Sequence, residues 1–233
     1  MFIVFEGLDG SGKSTQAKKL HDFFLARGEN CLLTCEPTHG TLGSLARKVT
    51  KGELRMEGET LALLFAADRH GHYVNEIAPF LQSGGVVVCD RYYYSNLAYQ
   101  GACVKSMERI FAYNQVVMEN PPDIVFFLKT EPLECLRRLL ASRPDASIYE
   151  NEWMLETLSR RYTQVFDIFT RNVENISGDI GLPSKKNLEN FHSGFAHKER
   201  VEIIETSGKN EEEVHTEICA VGKFFNCAIG MLD

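Results

Sequence analysis

Five short apolar segments divide the chain, and within them apolar positions are continuous and do not alternate with polar ones. They are residues 2–5, 31–34, 86–89, 124–128 and 201–204. A continuous apolar run of this length is typical of a β-strand covered on both faces, as in a parallel sheet. We therefore expect five buried strands.

Between these segments, apolar residues recur at helical spacing over residues 13–25, 60–81 and 152–173. Alternating strands and helices predict right-handed βαβ units, and hence an α/β protein with a five-stranded parallel sheet flanked by helices. In such sheets ligands bind beyond the carboxyl ends of the strands. Candidate chemistry should therefore be sought just after each apolar segment.

Residues 175–199 break the pattern because they are polar and contain several glycines. We interpret them as an insertion in the form of a long loop, a kind of segment that is usually functional or disordered. The length of 233 residues fits one large domain, and we expect a single domain over residues 1–233.

The charge and the cysteine content indicate which binding partners and which cellular compartment to expect. With 25 Lys and Arg against 32 Asp and Glu, the net charge of -7 disfavours nonspecific binding to nucleic acid or membranes. Seven cysteines without a C-x-x-C pair suggest a reducing compartment. The sequence shows neither a signal peptide nor an apolar run of membrane-spanning length. We expect a cytoplasmic protein, and a nuclear one is not excluded.

The first apolar segment runs into a phosphate-binding motif. Residues 7–14 fit G-x-x-x-x-G-K-[ST] between a predicted strand and a predicted helix. Backbone amides and the helix N-terminus would cradle phosphates, Lys13 would bridge the β- and γ-phosphates, and Ser14 would bind Mg²⁺. An accidental glycine-rich turn is the alternative, and the motif alone does not separate kinases from GTPases or ATPases. The predicted ATP-binding residues are Gly7, Asp9, Gly10, Ser11, Gly12, Lys13, Ser14 and Thr15.

The third apolar segment ends in Asp90, which is the position of a carboxylate associated with Mg²⁺ near the phosphate loop. Here the chain resembles thymidylate kinases. Their signature at this place is Asp-Arg-Tyr, a Ser three residues after the Tyr, then Ala-Tyr-Gln. The matching residues are Asp90, Arg91, Tyr92, Ser95, Ala98, Tyr99 and Gln100.

Three further segments resemble the same family in order: residues 6–16, residues 36–38 with Gly43 and Arg47, and residues 65–69. The resemblance covers nearly the whole chain apart from residues 175–199. It implies a P-loop NTPase fold with a short lid at about residues 141–150. It also implies an ATP-dependent kinase that converts dTMP into dTDP for dTTP biosynthesis, with Mg²⁺ as cofactor and a homodimeric assembly.

Phe65 and Arg69 share one helix face, where a ring could stack on a base and a guanidinium could donate to its carbonyl. The resemblance implies that Phe65 stacks on thymine and that Arg69 donates to the thymine O4. The alternative is a core Phe65 and a solvated Arg69.

Arg47 and Arg91 are candidates for the acceptor phosphate, because the planar guanidinium of each can bind two phosphate oxygens. For Arg47 the alternative is an ordinary surface residue of a helix. Ser95 and Gln100 could contact the base edge, and Tyr99 could pack under the deoxyribose. The predicted dTMP-binding residues are Asp9, Glu36, Arg47, Phe65, Arg69, Arg91, Ser95, Tyr99, Gln100 and Tyr149.

The lid departs from the family pattern. Thymidylate kinases place a catalytic Arg in the P-loop or the lid, but the P-loop position holds Gly10 here. We expect Arg143 to stabilise the transition state, with Arg137 or Arg138 in reserve. The expected catalytic residues are therefore Lys13, Arg91, Arg143 and Asp9, and the expected Mg²⁺ residues are Ser14, Asp90 and Glu150.

Two rival functions stay open from the sequence. One is another deoxynucleotide or deoxynucleoside kinase of the same fold. The other is a weakly active nucleotide-binding regulator, which the altered lid motivates.

Overall fold

The computed structural model describes residues 1–104, 106–142, 151–170 and 200–221. Five parallel strands form one sheet in the order β2-β3-β1-β4-β5. The predicted parallel sheet is confirmed, and each predicted strand lies within an observed one. The strands are β1 (Phe2–Gly7), β2 (Cys31–Cys35), β3 (Val86–Asp90), β4 (Ile124–Lys129) and β5 (Arg200–Glu205).

Helices connect these strands. They are α1 (Lys13–Ala26), α2 (Thr41–Thr50), α3 (Gly58–His72), α4 (Ala78–Gln82), α5 (Tyr93–Val104), α6 (Met107–Met118), α7 (Pro132–Ser142), α8 (Glu152–Thr170) and α9 (Glu211–Val221). Side chains cap several of their starts: Glu57 accepts from two amides of α3, and Ser106 accepts from the Arg109 amide of α6.

The helix predicted over residues 60–81 is observed, but it is not α-helical throughout. A π-helical turn, Tyr73–Ile77, separates α3 from α4. Pro79 in the first turn of α4 has no N–H to donate to the preceding turn, so an unbroken α-helical ladder cannot pass through it. The predicted helix over residues 152–173 is seen as α8 up to Thr170, and residues 171–173 lie outside the described part.

Helices cover both faces of the sheet, which explains the continuous apolar strands. On one face Ile3 and Phe5 join a buried cluster with Leu20 of α1 and Ile218 of α9. On the other face, Phe2 and Val4 belong to a second cluster, which includes residues of α5, α6 and α8. No helix in the described ranges combines the length and the apolar character needed to cross a bilayer.

The topology brings two chain segments to the same edge of the sheet. β1 lies between β3 and β4, and Phe5 of β1 pairs in register with Asp90 of β3. The loop after β1 and the residues after β3 therefore emerge side by side.

Candidate active site

The loop between β1 and α1 has the backbone that the glycine motif predicts. Gly7, Gly10 and Gly12 have φ of 144°, 83° and 98°, in a region that favours glycine. A Cβ on Gly10 would lie 2.6 Å from the Cys135 carbonyl oxygen of α7. The close approach of α7 therefore explains why this position carries no larger side chain.

A cavity of about 620 Å³ lies over this loop and is called here the donor cavity. Its lining includes seven of the eight predicted ATP-binding residues: Asp9, Gly10, Ser11, Gly12, Lys13, Ser14 and Thr15. Gly7 lies beneath the loop, where a Cβ would come within 2.5 Å of the Leu128 carbonyl oxygen. Gly7 thus shapes the loop and does not line the cavity.

Two polar groups of the loop are suited to receive an anion. Lys13 is buried, and its Nζ donates to the Leu8 carbonyl oxygen at 2.6 Å. The pKa of Lys13 is lowered, first by burial and then by the charge of Arg91. The charges of Asp9 and Asp90 oppose this only in part. The Ser11 hydroxyl is buried and has no hydrogen-bond partner in the described part of the chain. Such unsatisfied donors favour a phosphate ligand.

Ser14 and Asp90 form the candidate metal site. The Ser14 hydroxyl donates to Asp90 Oδ2, and Asp90 Oδ1 is buried without a hydrogen-bond partner among the described residues. A hydroxyl beside an unsatisfied carboxylate oxygen fits Mg²⁺, which is usually held by one or two protein ligands, waters and substrate phosphates. Over the described ranges no cluster of three or more His, Cys, Asp or Glu could enclose a metal. Glu150 lies outside these ranges.

A second cavity of about 320 Å³, called here the acceptor cavity, opens beside the tips of β2 and β3. Nine of the ten predicted dTMP-binding residues line it: Asp9, Glu36, Arg47, Phe65, Arg69, Arg91, Ser95, Tyr99 and Gln100. The tenth, Tyr149, lies outside the described residues.

Arg69 is buried, which excludes the alternative of a solvated charge. Its Nε donates to Glu36 Oε2 at 2.7 Å, and its Nη1 donates to the side-chain oxygens of Asn114 and Asn96. Because arginine only donates, both asparagine oxygens must face it. Asn96 Nδ2 then donates to Gln100 Oε1 at 3.0 Å. This chain of bonds turns the Gln100 amide so that Nε2 is left as a donor.

His72 bonds to Glu36 from the other side, a contact that no motif in the sequence indicates. The His72 Nδ1 lies 3.0 Å from Glu36 Oε1, and its Nε2 lies 2.8 Å from Thr34 Oγ1. An ionised carboxylate only accepts, so Nδ1 carries the proton that is donated to Glu36. Glu36 thus has one oxygen for Arg69 and the other for His72.

Arg91 stands where the two cavities meet. Its Nη2 lies 2.5 Å from Asp9 Oδ1, and its guanidinium carbon lies 5.2 Å from the Tyr99 ring centroid. Burial would raise the pKa of Asp9, but the charges of Arg91 and Lys13 outweigh it and hold that pKa well below its usual range. Both Asp9 and Arg91 line the donor cavity and the acceptor cavity. The two cavities therefore share a wall.

The side chains of Ser95 and Arg47 both bond to other parts of the protein at the acceptor cavity. Ser95 was expected to contact the base edge, but its hydroxyl bonds to Arg91, Glu6 and Tyr162. Its hydroxyl therefore helps to hold Arg91, and the base contact of Ser95 stays a prediction. Arg47 donates to the carbonyl oxygens of Pro37 and Thr38 while lining the acceptor cavity. Its phosphate role stays a prediction.

Of the arginines held in reserve for the lid, Arg138 lines the donor cavity, whereas Arg137 is exposed and lines neither cavity. Arg138 Nη1 is 3.5 Å from the Gly10 carbonyl oxygen, and Nη2 is ion-paired with Glu134. Arg143 lies outside the described residues.

The fold and the site together define a class. A glycine-rich phosphate loop joined to a second cavity lined by arginines and an aromatic ring is the arrangement of a P-loop kinase that acts on a small phosphorylated acceptor.

Comparisons with known proteins narrow this class. The family model described as thymidylate kinase matches residues 5–180. A protein of Methanococcus aeolicus named "Probable thymidylate kinase" is 37% identical over 217 residues, which cover 93% of each chain. The chain therefore belongs to the thymidylate kinase family. Its enzymatic function, as the family defines it, is ATP-dependent phosphorylation of dTMP.

Two solved structures share the fold. Thymidylate kinase from Ehrlichia chaffeensis has a TM-score of 0.63 at 26% identity, covering 96% of this chain and 98% of its own. Thymidylate kinase from Candida albicans has a TM-score of 0.67 at 20% identity, covering 97% of this chain and 92% of its own. The P-loop NTPase fold expected from the sequence is confirmed.

Proposed function

We propose that the donor cavity holds ATP and the acceptor cavity holds dTMP, end to end, and that the γ-phosphate is transferred in line to give dTDP. The observation that carries this proposal is the shared wall of Asp9 and Arg91. A phosphoryl group passing between two nucleotides must cross such a junction.

On the donor side, the loop amides and Lys13 bind the phosphates of ATP, and Ser14 and Asp90 hold Mg²⁺. Bound Mg²⁺ would neutralise negative charge on the phosphates of ATP. The unsatisfied Ser11 hydroxyl and Asp90 oxygen support this arrangement. Glu150 is proposed as a further residue on the Mg²⁺ side.

On the acceptor side, Arg91 and Arg47 bind the dTMP phosphate, and Phe65 stacks on the base. Arg69 and Gln100 meet the base edge as donors, because arginine has no acceptor and the Gln100 oxygen already accepts from Asn96. Donors suit the 4-carbonyl of thymine and oppose the 4-amino group of cytosine. Tyr99 and Tyr149 are assigned to the sugar side.

The residues need do little acid–base chemistry, because the acceptor phosphate is already anionic. Positioning and charge neutralisation supply most of the rate. Lys13 and Arg91 neutralise phosphate oxygens, Asp9 orients Arg91, and Arg143 is proposed to stabilise the transition state.

We also propose a homodimer. An exposed stripe of Leu63, Ala67, His70 and Val74 follows helical spacing along α3 and the π-helical turn. Such a stripe is suited to packing against a second helix. Sedimentation equilibrium checks this, and a monomer at micromolar concentration would contradict it.

A single domain and a cytoplasmic location complete the proposal. One sheet contains strands from both ends of the chain, from Phe2 to Glu205, which supports one domain. Five cysteines in the described ranges are free thiols, which suits a reducing compartment.

A coupled ADP-release assay with dTMP, dUMP, dCMP and thymidine tests the function. We expect turnover with dTMP, weaker turnover with dUMP, and at least a hundredfold lower kcat/KM with dCMP. ATP binding without dTDP formation would support the rival of a nucleotide-binding regulator, and equal turnover of all acceptors would support a less selective kinase.

The lid assignment has its own test. Arg143→Ala should lower kcat about a thousandfold, the size of an arginine that stabilises phosphoryl transfer. Arg137→Ala is the matched control because Arg137 is exposed and outside both cavities. Unchanged turnover of Arg143→Ala would remove the assignment and direct attention to Arg138.

A further inference from the structure

Glu6 is a carboxylate in the core of the protein, in an otherwise apolar strand. It is 0% exposed. Its Oε1 accepts from the backbone amides of Tyr92 and Ser95 at 2.8 and 3.1 Å. Its Oε2 accepts from the hydroxyls of Ser95 and Tyr162 at 2.7 and 3.0 Å. Four hydrogen bonds satisfy this buried charge, so it is held in one orientation.

The same two hydroxyls also bind Arg91. Arg91 Nη1 donates to Ser95 Oγ at 2.9 Å and to the Tyr162 hydroxyl at 3.0 Å. Arginine only donates and an ionised carboxylate only accepts, so each hydroxyl accepts from Arg91 and gives its single proton to Glu6. The bonds that link Arg91 to Glu6 therefore run in one direction, and no proton is left for the 2.9 Å contact between the two hydroxyl oxygens.

The Tyr162 hydroxyl is rigidly placed. Its ring is fully buried, stacks on Phe127 with centroids 5.6 Å apart, and meets Tyr99 edge-on at 6.1 Å. Tyr162 lies on α8, far in sequence from Glu6 and Arg91. Because the ring is held by this packing, the position of α8 helps to determine the position of the Arg91 guanidinium.

We propose that Glu6 and Tyr162 are positioning residues for Arg91, which they orient toward the acceptor phosphate through bridging hydroxyls. Asp9 holds Arg91 by a direct ion pair. Glu6 reaches Arg91 only through the two hydroxyls, so part of the guanidinium charge stays available for the ligand. This inference rests on the proposed function, because it takes Arg91 as the phosphate-binding group.

Tyr162→Phe removes the hydroxyl and keeps the packed ring. We expect KM and the calorimetric Kd for dTMP to rise about tenfold, within the range for a lost hydrogen bond to a charged group, while KM for ATP changes less than twofold. Tyr94→Phe is the control, since its buried ring stacks on Phe166 of the same helix but lines neither cavity. It should leave both constants within twofold.

A double-mutant cycle tests the route through Arg91. In an Arg91→Lys background, Tyr162→Phe should change the Kd for dTMP less than twofold, because the bridged guanidinium is absent. An undiminished effect in that background would refute the route. So would an equal rise in KM for ATP and dTMP, or the same loss in Tyr94→Phe. A wild-type protein that binds no dTMP would overturn the proposed function itself, whereas an active wild type matched by Tyr162→Phe overturns this inference alone.

Discussion

Arg91 reaches across the end of the sheet to Asp9, and their side chains meet with Nη2 2.5 Å from Oδ1 at the junction of the two cavities. Arg91 has φ of 75°, in the left-handed region that non-glycine residues seldom adopt. Its amide donates to the Phe5 carbonyl oxygen at 2.9 Å, which holds the backbone in this conformation. Strained residues of this kind cluster at ligand sites, where the surrounding structure imposes them.

Asp9→Asn tests that ion pair. The substitution removes the charge that orients Arg91 and one acceptor of the Tyr99 hydroxyl. We expect kcat/KM for dTMP to fall at least tenfold in the coupled assay. Asp22→Asn, which removes an exposed partner of Lys18, is the control and should change nothing. Wild-type kinetics for Asp9→Asn would contradict a role in orienting Arg91.

Glu36→Gln should destabilise the protein strongly. Glu36 is buried and bonds to Arg69 and His72, so losing its charge leaves the Arg69 guanidinium buried without a counter-ion. Breaking a buried pair in this way costs about 3–5 kcal/mol, which urea unfolding would measure. Glu76→Gln is matched to it, because Glu76 approaches the same His72 at 3.6 Å but is half-exposed. We expect that control to lie within about 0.5 kcal/mol of wild type; equal losses in both variants would argue against the special role of Glu36.

Gly10→Ala should impair ATP binding and folding together. The added Cβ would meet the Cys135 carbonyl oxygen at 2.6 Å, in addition to the strain of a positive φ. Gly28→Ala separates the two effects, since Gly28 has φ of 78° with no atom near its would-be Cβ. We expect Gly28→Ala to cost about 1–2 kcal/mol with normal KM for ATP. For Gly10→Ala we expect a larger loss and weaker ATP binding by calorimetry. If Gly10→Ala loses no more stability than Gly28→Ala and binds ATP as well, α7 moves easily to make room for the added methyl group.

The parts of this site that the sequence predicts are those written in contiguous residues. The phosphate loop requires glycines and Lys13 at fixed spacing after a strand, and the tip of β3 presents Asp90 and Arg91 together. The parallel topology then brings these two segments side by side, because strand carboxyl ends share an edge. This explains why both cavities could be anticipated.

The supporting residues could not be anticipated, because their partners come from distant elements. His72 meets Glu36 only when α3 packs beside β2, and Tyr162 meets Glu6 only when α8 covers β1. Tyr162 occupies a regular apolar position of its helix, which in sequence indicates core packing and says nothing of its hydroxyl. The π-helical turn between α3 and α4 could not be anticipated either, because the apolar periodicity runs through it and Pro79 marks only a nearby irregularity.

Glu6→Gln tests how the ionisation of Glu6 affects stability. Burial raises the pKa of Glu6 above its ordinary value of 4.5, and the charge of Arg91 and the hydrogen bonds only partly oppose this. A carboxyl with a raised pKa in the folded state stabilises the fold most below its unfolded pKa, and that stabilisation is lost as the pH rises through the folded pKa.

Glutamine does not ionise, so its contribution to stability does not change with pH. The melting temperature of Glu6→Gln minus that of wild type should therefore become more positive from pH 4 to pH 7.5, while KM for dTMP rises because Arg91 is less firmly oriented. Glu53→Gln, an exposed control, should give a flat difference across the same range. A difference for Glu6→Gln that falls with pH would mean that ionised Glu6 stabilises the fold, and would contradict the dominance of burial at this position.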